Sequence, residues 1–425
     1  MANGRTALVY DSGDFTHFAQ AIAPGFTKTL YFSEWMSSHP HLRDVMAGDI
    51  PGLTRVNWFE KYIDQASVII FLDCGDGDMM TWLRKKGYRV WGCGLSDALE
   101  LDRVNYRAVL DRLALPVVPA DIITGMDELE KYLKKPENED RWIKISFFRG
   151  DAETYHHETW FTTQNWFEEK KRAFGPGAHR VVFVCEKPVP GVEPGYDGYV
   201  IDGMFPRLGM WGWEYKNRAY VARVQNVAQM PAAIRIVEAL GPDLRTLGMR
   251  GNFHTEQRIA EDGEVYITDP ATRLGSPPGE IMGLLYSNWA DIIMAGAGGE
   301  LVEPQPIAEY AAQVVLYTPH AEDNFIAFDI PDEVGELFRM RRAFRDPKGV
   351  YWHVPDGHLD QVGSALGFGD TPEEAIRIAV QNAEKVKGYN VEFAPDVEDK
   401  LLKVIKDGAA AGVPFTDRLY DEMVA

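Results

Sequence analysis

Residues 255–275 read Thr255-Glu256-Gln257-Arg258-Ile259-Ala260-Glu261-Asp262-Gly263-Glu264-Val265-Tyr266-Ile267-Thr268-Asp269-Pro270-Ala271-Thr272-Arg273-Leu274-Gly275. Two segments of alternating apolar and polar residues flank Asp262-Gly263, and Asp-Gly between such segments signals a β-hairpin. The hairpin predicts neighbouring antiparallel strands for Glu256 and Asp269, so two carboxylates can face one cavity. Magnesium takes hard oxygen ligands and accompanies nucleotide phosphates, so two acids on a rigid hairpin suit it. Read alone the pair decides little, because acids on hairpins are mostly just solvated.

Upstream, Val181-Val182-Phe183-Val184-Cys185 has the pattern of a buried strand and runs into Glu186-Lys187-Pro188-Val189, with Glu193 seven residues after Glu186. A strand edge with free main-chain amides can read an adenine, and a later carboxylate can accept bonds from ribose hydroxyls. The plain alternative is a strand that turns at Pro188, Pro190 and Pro194 into a loop.

The remaining chain sets the frame. Its 425 residues, 45% hydrophobic, are enough for two to four domains. A net charge of −20 opposes contact with a phosphate backbone, so nucleic acid is not expected as a direct partner. The opening MANGRTALVYD carries no apolar stretch of signal-peptide length, and no run is long enough to cross a bilayer. A cytoplasmic location and no membrane contact are the expectations. Cys74, Cys93 and Cys185 show no CxxC spacing, so free buried thiols are expected rather than a disulfide frame or a zinc site.

Periodicity predicts a small parallel α/β layer over the first ninety residues: strands at 6–10, 68–72 and 88–91, helices at 15–23 and 79–86. The turn Asp11-Ser12-Gly13-Asp14 lacks a three-glycine fingerprint and puts acids where a pyrophosphate would come, which disfavours a dinucleotide-binding dehydrogenase. One helix is predicted over 96–113, ended by Pro116 and Pro119, and a short one over 128–134. Strands follow at 142–146, 180–185, 199–205, 219–224, 249–259 and 264–268, with helices near 163–174 and 232–240. After a proline-containing linker at 302–306 come strands at 312–318, 350–353 and 361–366. A last helix is announced by Thr371 as N-cap, Pro372 in the first turn and Glu374 as capping-box glutamate. The eleven tryptophans, Trp211 and Trp213 among them, read as packing residues.

Taken in order, these stretches resemble the ATP-grasp superfamily, and more closely its phosphoribosylamine-glycine ligase branch. The family hinge Glu-Lys-x-Val/Leu with a later Gly-x-Glu is matched by Glu186-Lys187-Pro188-Val189 and Gly191-Val192-Glu193. The metal motif, an acid, a hairpin and then Glu-x-Asn-x-Arg-x-Gly, is matched by Glu256 and Asp269-Pro270-Ala271-Thr272-Arg273-Leu274-Gly275. Leu101-Asp102-Arg103 and Leu115-Pro116-Val117-Val118-Pro119 resemble the family's lysine-bearing helix and the segment after it. Lys144 takes the place of a strand lysine that contacts the α-phosphate. Gly363 to Leu366 and Gly369-Asp370-Thr371-Pro372-Glu373-Glu374-Ala375 resemble the carboxy-terminal domain, so the likeness spans nearly the whole chain.

The resemblance implies an α/β and α+β architecture, an ATP-grasp fold with an N-terminal Rossmann-like (pre-ATP-grasp) domain over 1–95. An ATP-grasp domain of two lobes over 96–300 follows, the smaller at about 120–190, and a small C-terminal α+β domain over 301–425. It implies ATP and one or two Mg2+ as cofactors. Arg103 and Lys144 would hold phosphates, Glu186, Lys187, Val189 and Glu193 the nucleoside, and Glu256 with Asp269 the metal. Arg273, Lys144 and Arg149 would serve catalysis. The activity implied is ligation of a small-molecule carboxylate to an amine through an acyl phosphate, by a monomer or homodimer.

Departures bear on the substrate. The family's glycine-rich phosphate loop is replaced by Ser146-Phe147-Phe148-Arg149-Gly150-Asp151-Ala152-Glu153-Thr154-Tyr155-His156-His157, in which Arg149, helped by His156 or His157, would replace amide donors and the whole would act as a lid. Ala271 stands for the metal-binding asparagine, leaving Thr272 or water for a second ion. Asp14-Phe15-Thr16-His17 stands for Gly-Arg-Glu-His, and Gly275-Ser276-Pro277-Pro278 for Gly-Asp-Pro-Glu. With no arginine in the amino-terminal turn, and with Asp11 and Asp14 in it, a different acid and a less anionic amine are expected than glycine and phosphoribosylamine. A kinase or acid-thiol ligase on the same fold, and a nucleotide-binding module without catalysis, are the alternatives.

Overall fold

The computed structural model describes residues 4–33, 47–146, 154–229, 237–355, 360–413 and 415. Arg149 and most of the expected lid lie outside them, as does the first half of the helix expected at 232–240.

Five short parallel strands open the fold, in spatial order Thr54–Arg55, Lys28–Ser33, Thr6–Asp11, Val68–Phe71 and Val90–Trp91. Their interior residues are apolar on both faces, as a parallel sheet covered on both sides requires. The helices Thr16–Ile22 and Gly77–Lys85 connect its strands. Next comes a four-stranded antiparallel sheet, Ala120–Thr124, Val182–Glu186, Arg141–Ile145 and Thr154–His157 in that order. With the helices Met126–Leu133 and Trp160–Phe174 it closes a separate small core around Phe167, Phe183 and Leu129.

The largest sheet has nine strands and runs from Gly191–Val192 through Arg250–Ala260, Pro194–Ile201, Leu208–Tyr215, Ala219–Asn226, Tyr310–Tyr317 and Gln361–Gly369 to Phe338–Met340, with Val265–Ala271 paired to Arg250–Ala260. It crosses residue 300 without a break, because Tyr310–Tyr317 pairs with Ala219–Asn226. A further four-stranded sheet includes Tyr351–His353.

Two expectations are corrected and one strand was unforeseen. The helix expected over 96–113 is two, Asp97–Leu101 and Arg103–Arg112, because the Asp102 backbone leaves helical geometry and its side chain caps the second helix, accepting from the Asn105 amide at 3.0 Å. The strand expected at 199–205 lies at Pro194–Ile201 and stops at Asp202-Gly203, both at positive φ. The strand Leu208–Tyr215 was not predicted, since Gly209 and Gly212 interrupt its pattern. A Cβ at Gly212 would fall 2.1 Å from the Tyr220 ring, so the glycine makes room for a neighbouring aromatic. Trp211 and Trp213 on this strand are buried packing residues, and the three cysteines are free.

Helix Thr16–Ile22 packs on helix Gly279–Leu285, and this contact buries His17 near Glu280 and Arg341. Arg341 Nε donates to Glu280 Oε1 at 2.8 Å, and Gln313 Nε2 to Oε2 at 3.2 Å. Burial, helped by Arg341 and opposed by Glu280, pushes the His17 imidazole down to about 4. In an unfolded chain it would titrate near 6.5. Between those values only the unfolded state binds the proton, so this residue removes stability as pH falls from 6.5 towards 4, by up to about 3 kcal/mol. Melting temperatures of the parent and His17→Gln should therefore converge as pH drops from 7 to 4.5; a constant difference would refute a buried neutral imidazole.

Candidate active site

The hairpin forms as the sequence predicts, with Glu256 and Asp269 as register partners and a bulge after Glu256. Directly opposed residues share a face, so both carboxylates lie on one side of the sheet. Helix Arg103–Arg112 docks against the hairpin through Tyr106, whose hydroxyl donates to the Ile267 carbonyl at 3.1 Å. Strand Arg141–Ile145 of the smaller sheet brings Lys144 to the same place.

Asp269 receives the Lys144 ammonium on Oδ2 at 2.7 Å and the Arg103 guanidinium on Oδ1. Lys144 Nζ also donates to the Thr268 carbonyl at 3.1 Å and lies 3.1 Å from Glu186 Oε2. On its other oxygen Glu186 meets Arg107 Nη1 at 3.3 Å. Four of the residues singled out in the sequence thus meet: Arg103, Lys144, Glu186 and Asp269. Burial alone would lower the Lys144 ammonium, but Asp269 and Glu186 outweigh it and hold it raised. Burial would likewise raise the Asp269 carboxyl, and Arg103 and Lys144 instead keep it well below the usual carboxylate range.

Arg107 was missed in the sequence, although it stands four residues after Arg103 on one helix and so shares its face. Three cations, Arg103, Arg107 and Lys144, therefore face two carboxylates in a mostly buried cluster. That excess of positive charge in a chain of net charge −20 suits a polyanion.

Arg273 lies in a second group. Its Nε donates to Glu100 Oε1 at 2.9 Å and stands 4.0 Å from Asp73, and its Nη1 donates to the Leu274 carbonyl at 2.9 Å. Glu100 Oε2 takes the Thr272 amide at 2.9 Å, so one buried carboxylate fixes both the arginine and its main chain. On the far side the Gly275 amide donates to His254 Nε2 at 2.8 Å, and His254 Nδ1 is 2.5 Å from Asp197. Neither Glu100 nor His254 carries a sequence signal of this clamp.

Other singled-out residues stand apart. Glu256 pairs with Lys216 at 2.9 Å. Glu193 pairs with Arg258. Lys187 is exposed and gives its amide to the Pro119 carbonyl at 2.9 Å, while Val189 is half-buried at the strand edge. His156 is stacked on Trp142 and bonded to Asp140 at 2.7 Å, and His157 is buried against Thr163 at 2.7 Å.

Among the described residues no group of three or more His, Cys, Asp or Glu could hold a metal ion. Glu256 and Asp269, register partners on one face of the hairpin though each meets a cation, nonetheless suit magnesium, which commonly takes one or two protein carboxylates and completes its shell from phosphate and water. The Thr272 hydroxyl, expected as a stand-in for Ala271, is buried without a hydrogen-bond partner.

A small antiparallel lobe set over a large sheet, with lysine, arginine and acid side chains meeting between them, is the ATP-grasp architecture, and the chain has this fold. It is similar to the phosphoribosylamine-glycine ligase of Thermotoga maritima over 92% of this chain and 98% of that one, at 18% identity and a TM-score of 0.68. The biotin carboxylase domain of Hydrogenobacter thermophilus 2-oxoglutarate carboxylase, seen with MgADP and bicarbonate, matches over 99% and 98% at 16% identity and 0.64. An L-amino acid ligase of Bacillus licheniformis matches over 92% and 99% at 14% identity and 0.62. No protein-family model matches the sequence, and no curated protein does. No described helix is long and apolar enough to cross a membrane.

Proposed function

We propose that the chain is an ATP-dependent carboxylate–amine ligase that works through an acyl phosphate. The observation that carries this reading is the excess of buried positive charge at Arg103, Arg107 and Lys144, between the small antiparallel lobe and the hairpin bearing Glu256 and Asp269. Phosphate oxygens would replace the internal partners of Lys144 and Arg103, and Glu256 with Asp269 would hold magnesium, which neutralises phosphate charge. Phosphoryl transfer asks the protein mainly for positioning and charge neutralisation, and a preset cation cluster supplies both. Arg273, held by Glu100, would steady the acyl phosphate and its adduct with the amine.

The adenine would lie on the strand edge beyond Glu186. Because Lys187 spends its amide on Pro119, the edge left for the base is the one at Val189. Val189→Arg should weaken ATP binding by tenfold or more, read by calorimetry; unchanged affinity would move the base elsewhere.

The substrate-side departures favour an acid and amine other than glycine and phosphoribosylamine. One reason changes with the structure: the amino-terminal turn does have an arginine, since Arg342 reaches Asp14 at 3.1 Å from the far end of the chain. Its charge is matched by Asp14, and the turn still offers a phosphate no free cation among the described residues. Supplying ATP, magnesium and pooled carboxylic acids and amines, phosphoribosylamine and glycine included, and then identifying products by mass tests the whole reading. Acid-dependent ADP release with an amide product is expected. A phosphorylated acid without amide would favour a kinase, and ATP binding without turnover a non-catalytic module.

A further inference from the structure

Ligands of open parallel sheets bind at the carboxyl ends of the strands. Asp11 ends strand Thr6–Asp11, and Asp73 stands two residues beyond the neighbouring strand Val68–Phe71. Asp14 follows in the turn after Asp11. Asp14 is matched by Arg342, and Asp73 lies 4.0 Å from Arg273.

Asp11 has no such match. It is fully buried, its Oδ2 accepts from the Tyr31 hydroxyl at 2.5 Å and from the Phe15 amide at 3.1 Å, and its Oδ1 has no hydrogen-bond partner. The charged groups that act most on it are the carboxylates of Asp14 and Asp73; Arg342 lies in the same turn but is bonded to Asp14 and the Ser12 carbonyl, and among the described residues no cation pairs with Asp11. A buried carboxylate oxygen without a donor calls for one. The charges that act most on Asp11 are acids and Arg342 is bonded elsewhere, so the donor that would relieve the site is a further cation.

We propose that Asp11, with Asp73 beside it, forms the subsite for a cationic primary amine, and that Asp11 is the base that receives the amine's proton. This rests on the ligase reading and names the acceptor for it. In the reaction an ammonium N–H proton passes to Asp11 Oδ1. The freed lone pair forms the C–N bond to the acyl carbon, the acyl C–O bond to phosphate breaks with its electron pair leaving on the phosphate, and the second nitrogen proton departs with that phosphate. The placement suits the role, because Asp73 acts electrostatically on Asp11 and lies 4.0 Å from Arg273, the residue proposed for the acyl group. The carboxyl is also poised for it. Burial, opposed by the Tyr31 bond and assisted by Asp14 and Asp73, pushes it up to about 7, where a general base works best near neutral pH.

The test compares two nucleophiles with ATP, magnesium and the pooled acids: hydroxylamine, which is uncharged at neutral pH, and a panel of ammonia, ethylenediamine and free amino acids. In Asp11→Asn the ratio of amide to hydroxamate should fall by about 100-fold. Its melting temperature at pH 8 should rise, because a carboxyl whose folded-state pKa lies above its unfolded value costs the native state stability once it ionises. That rise separates lost chemistry from lost folding. Tyr31→Phe, which removes a bond that favours the ionised form, should move the pH midpoint of amide formation upward while leaving hydroxamate formation with the parent's profile. An unchanged ratio in Asp11→Asn would mean that only a buried water meets Oδ1 and would overturn the proposal. Hydroxamate without amide from any amine of the panel, in the parent, would overturn it too. If the parent forms neither product with any acid, the ligase reading itself fails and the subsite falls with it.

Discussion

Asp269→Asn and Glu256→Gln should each lower ADP release by at least about 1,000-fold, and they should differ sharply in what they do to the fold. The first number follows from losing a carboxylate proposed to hold magnesium, which in Asp269 also sets the positions of Lys144 and Arg103, since single electrostatic groups at transferring phosphates contribute several kcal/mol. The second expectation comes from the surroundings. Asp269 lies between two cations that are each about nine-tenths buried. Its neutral replacement leaves them facing each other with only Glu186 between, and removing one partner of a buried pair is costly. With the Asp269 side chain itself 30% exposed, about 2–3 kcal/mol is expected, visible as a lower melting temperature. The Glu256 carboxylate is 40% exposed and pairs with a half-exposed Lys216, so its replacement should leave the melting temperature within about a degree or two. ADP release by either variant at the parent's rate would remove the metal assignment. Equal melting temperatures would show that Asp269 is not the centre of the cation cluster.

Arg273→Lys should reduce amide formation by about 100- to 1,000-fold, with a smaller effect on ATP affinity. An arginine fork is fixed by several donors at once, whereas an ammonium is a point charge on a flexible stem. Here the fork is held by Glu100 on Nε and by the Leu274 carbonyl on Nη1, and Nη2 is the donor proposed for the acyl group. A lysine could satisfy Glu100 and then have nothing left to present. Amide formation, ATP binding and melting temperature measured together check this. Loss of all three in parallel would make Arg273 a folding residue and withdraw its assignment to the acyl group.

Local rules made the hairpin legible, because Asp-Gly between alternating segments specifies both a turn and a register, and register places Glu256 opposite Asp269. The same holds for the last long helix, where Thr371 accepts from the Glu374 amide as expected, although Glu374 reaches back to the Asp370 amide rather than to Thr371. Lys144 and Glu186 were legible only through family spacing, since nothing in a strand's own pattern says which sheet it will meet. What stayed hidden is non-local. Glu100 lies 173 residues from Arg273 and Arg342 lies 328 residues from Asp14, and a pair at such separation leaves no periodic trace. The strand Leu208–Tyr215 was hidden for the opposite reason, because its glycines answer to aromatic rings on neighbouring strands.

The continuity of the large sheet across residue 300 bears on the order in which the molecule can assemble during synthesis. Strand Ala219–Asn226 has its outer edge covered by Tyr310–Tyr317, which leaves the ribosome about ninety residues later, and that strand waits in turn for Gln361–Gly369. Helix Thr16–Ile22 is bonded through Thr16 to the Met340 carbonyl and the Ala343 amide, so the start of the chain finds its seat only when residues near 340 have been made. At ribosomal speeds of about 5–20 residues per second that interval lasts on the order of ten seconds or more. An uncovered strand edge is a template for wrong pairing throughout that time. A chain stopped at residue 300 should consequently associate rather than accumulate as a monomer, and slower translation between 226 and 310 should lower the yield of native protein.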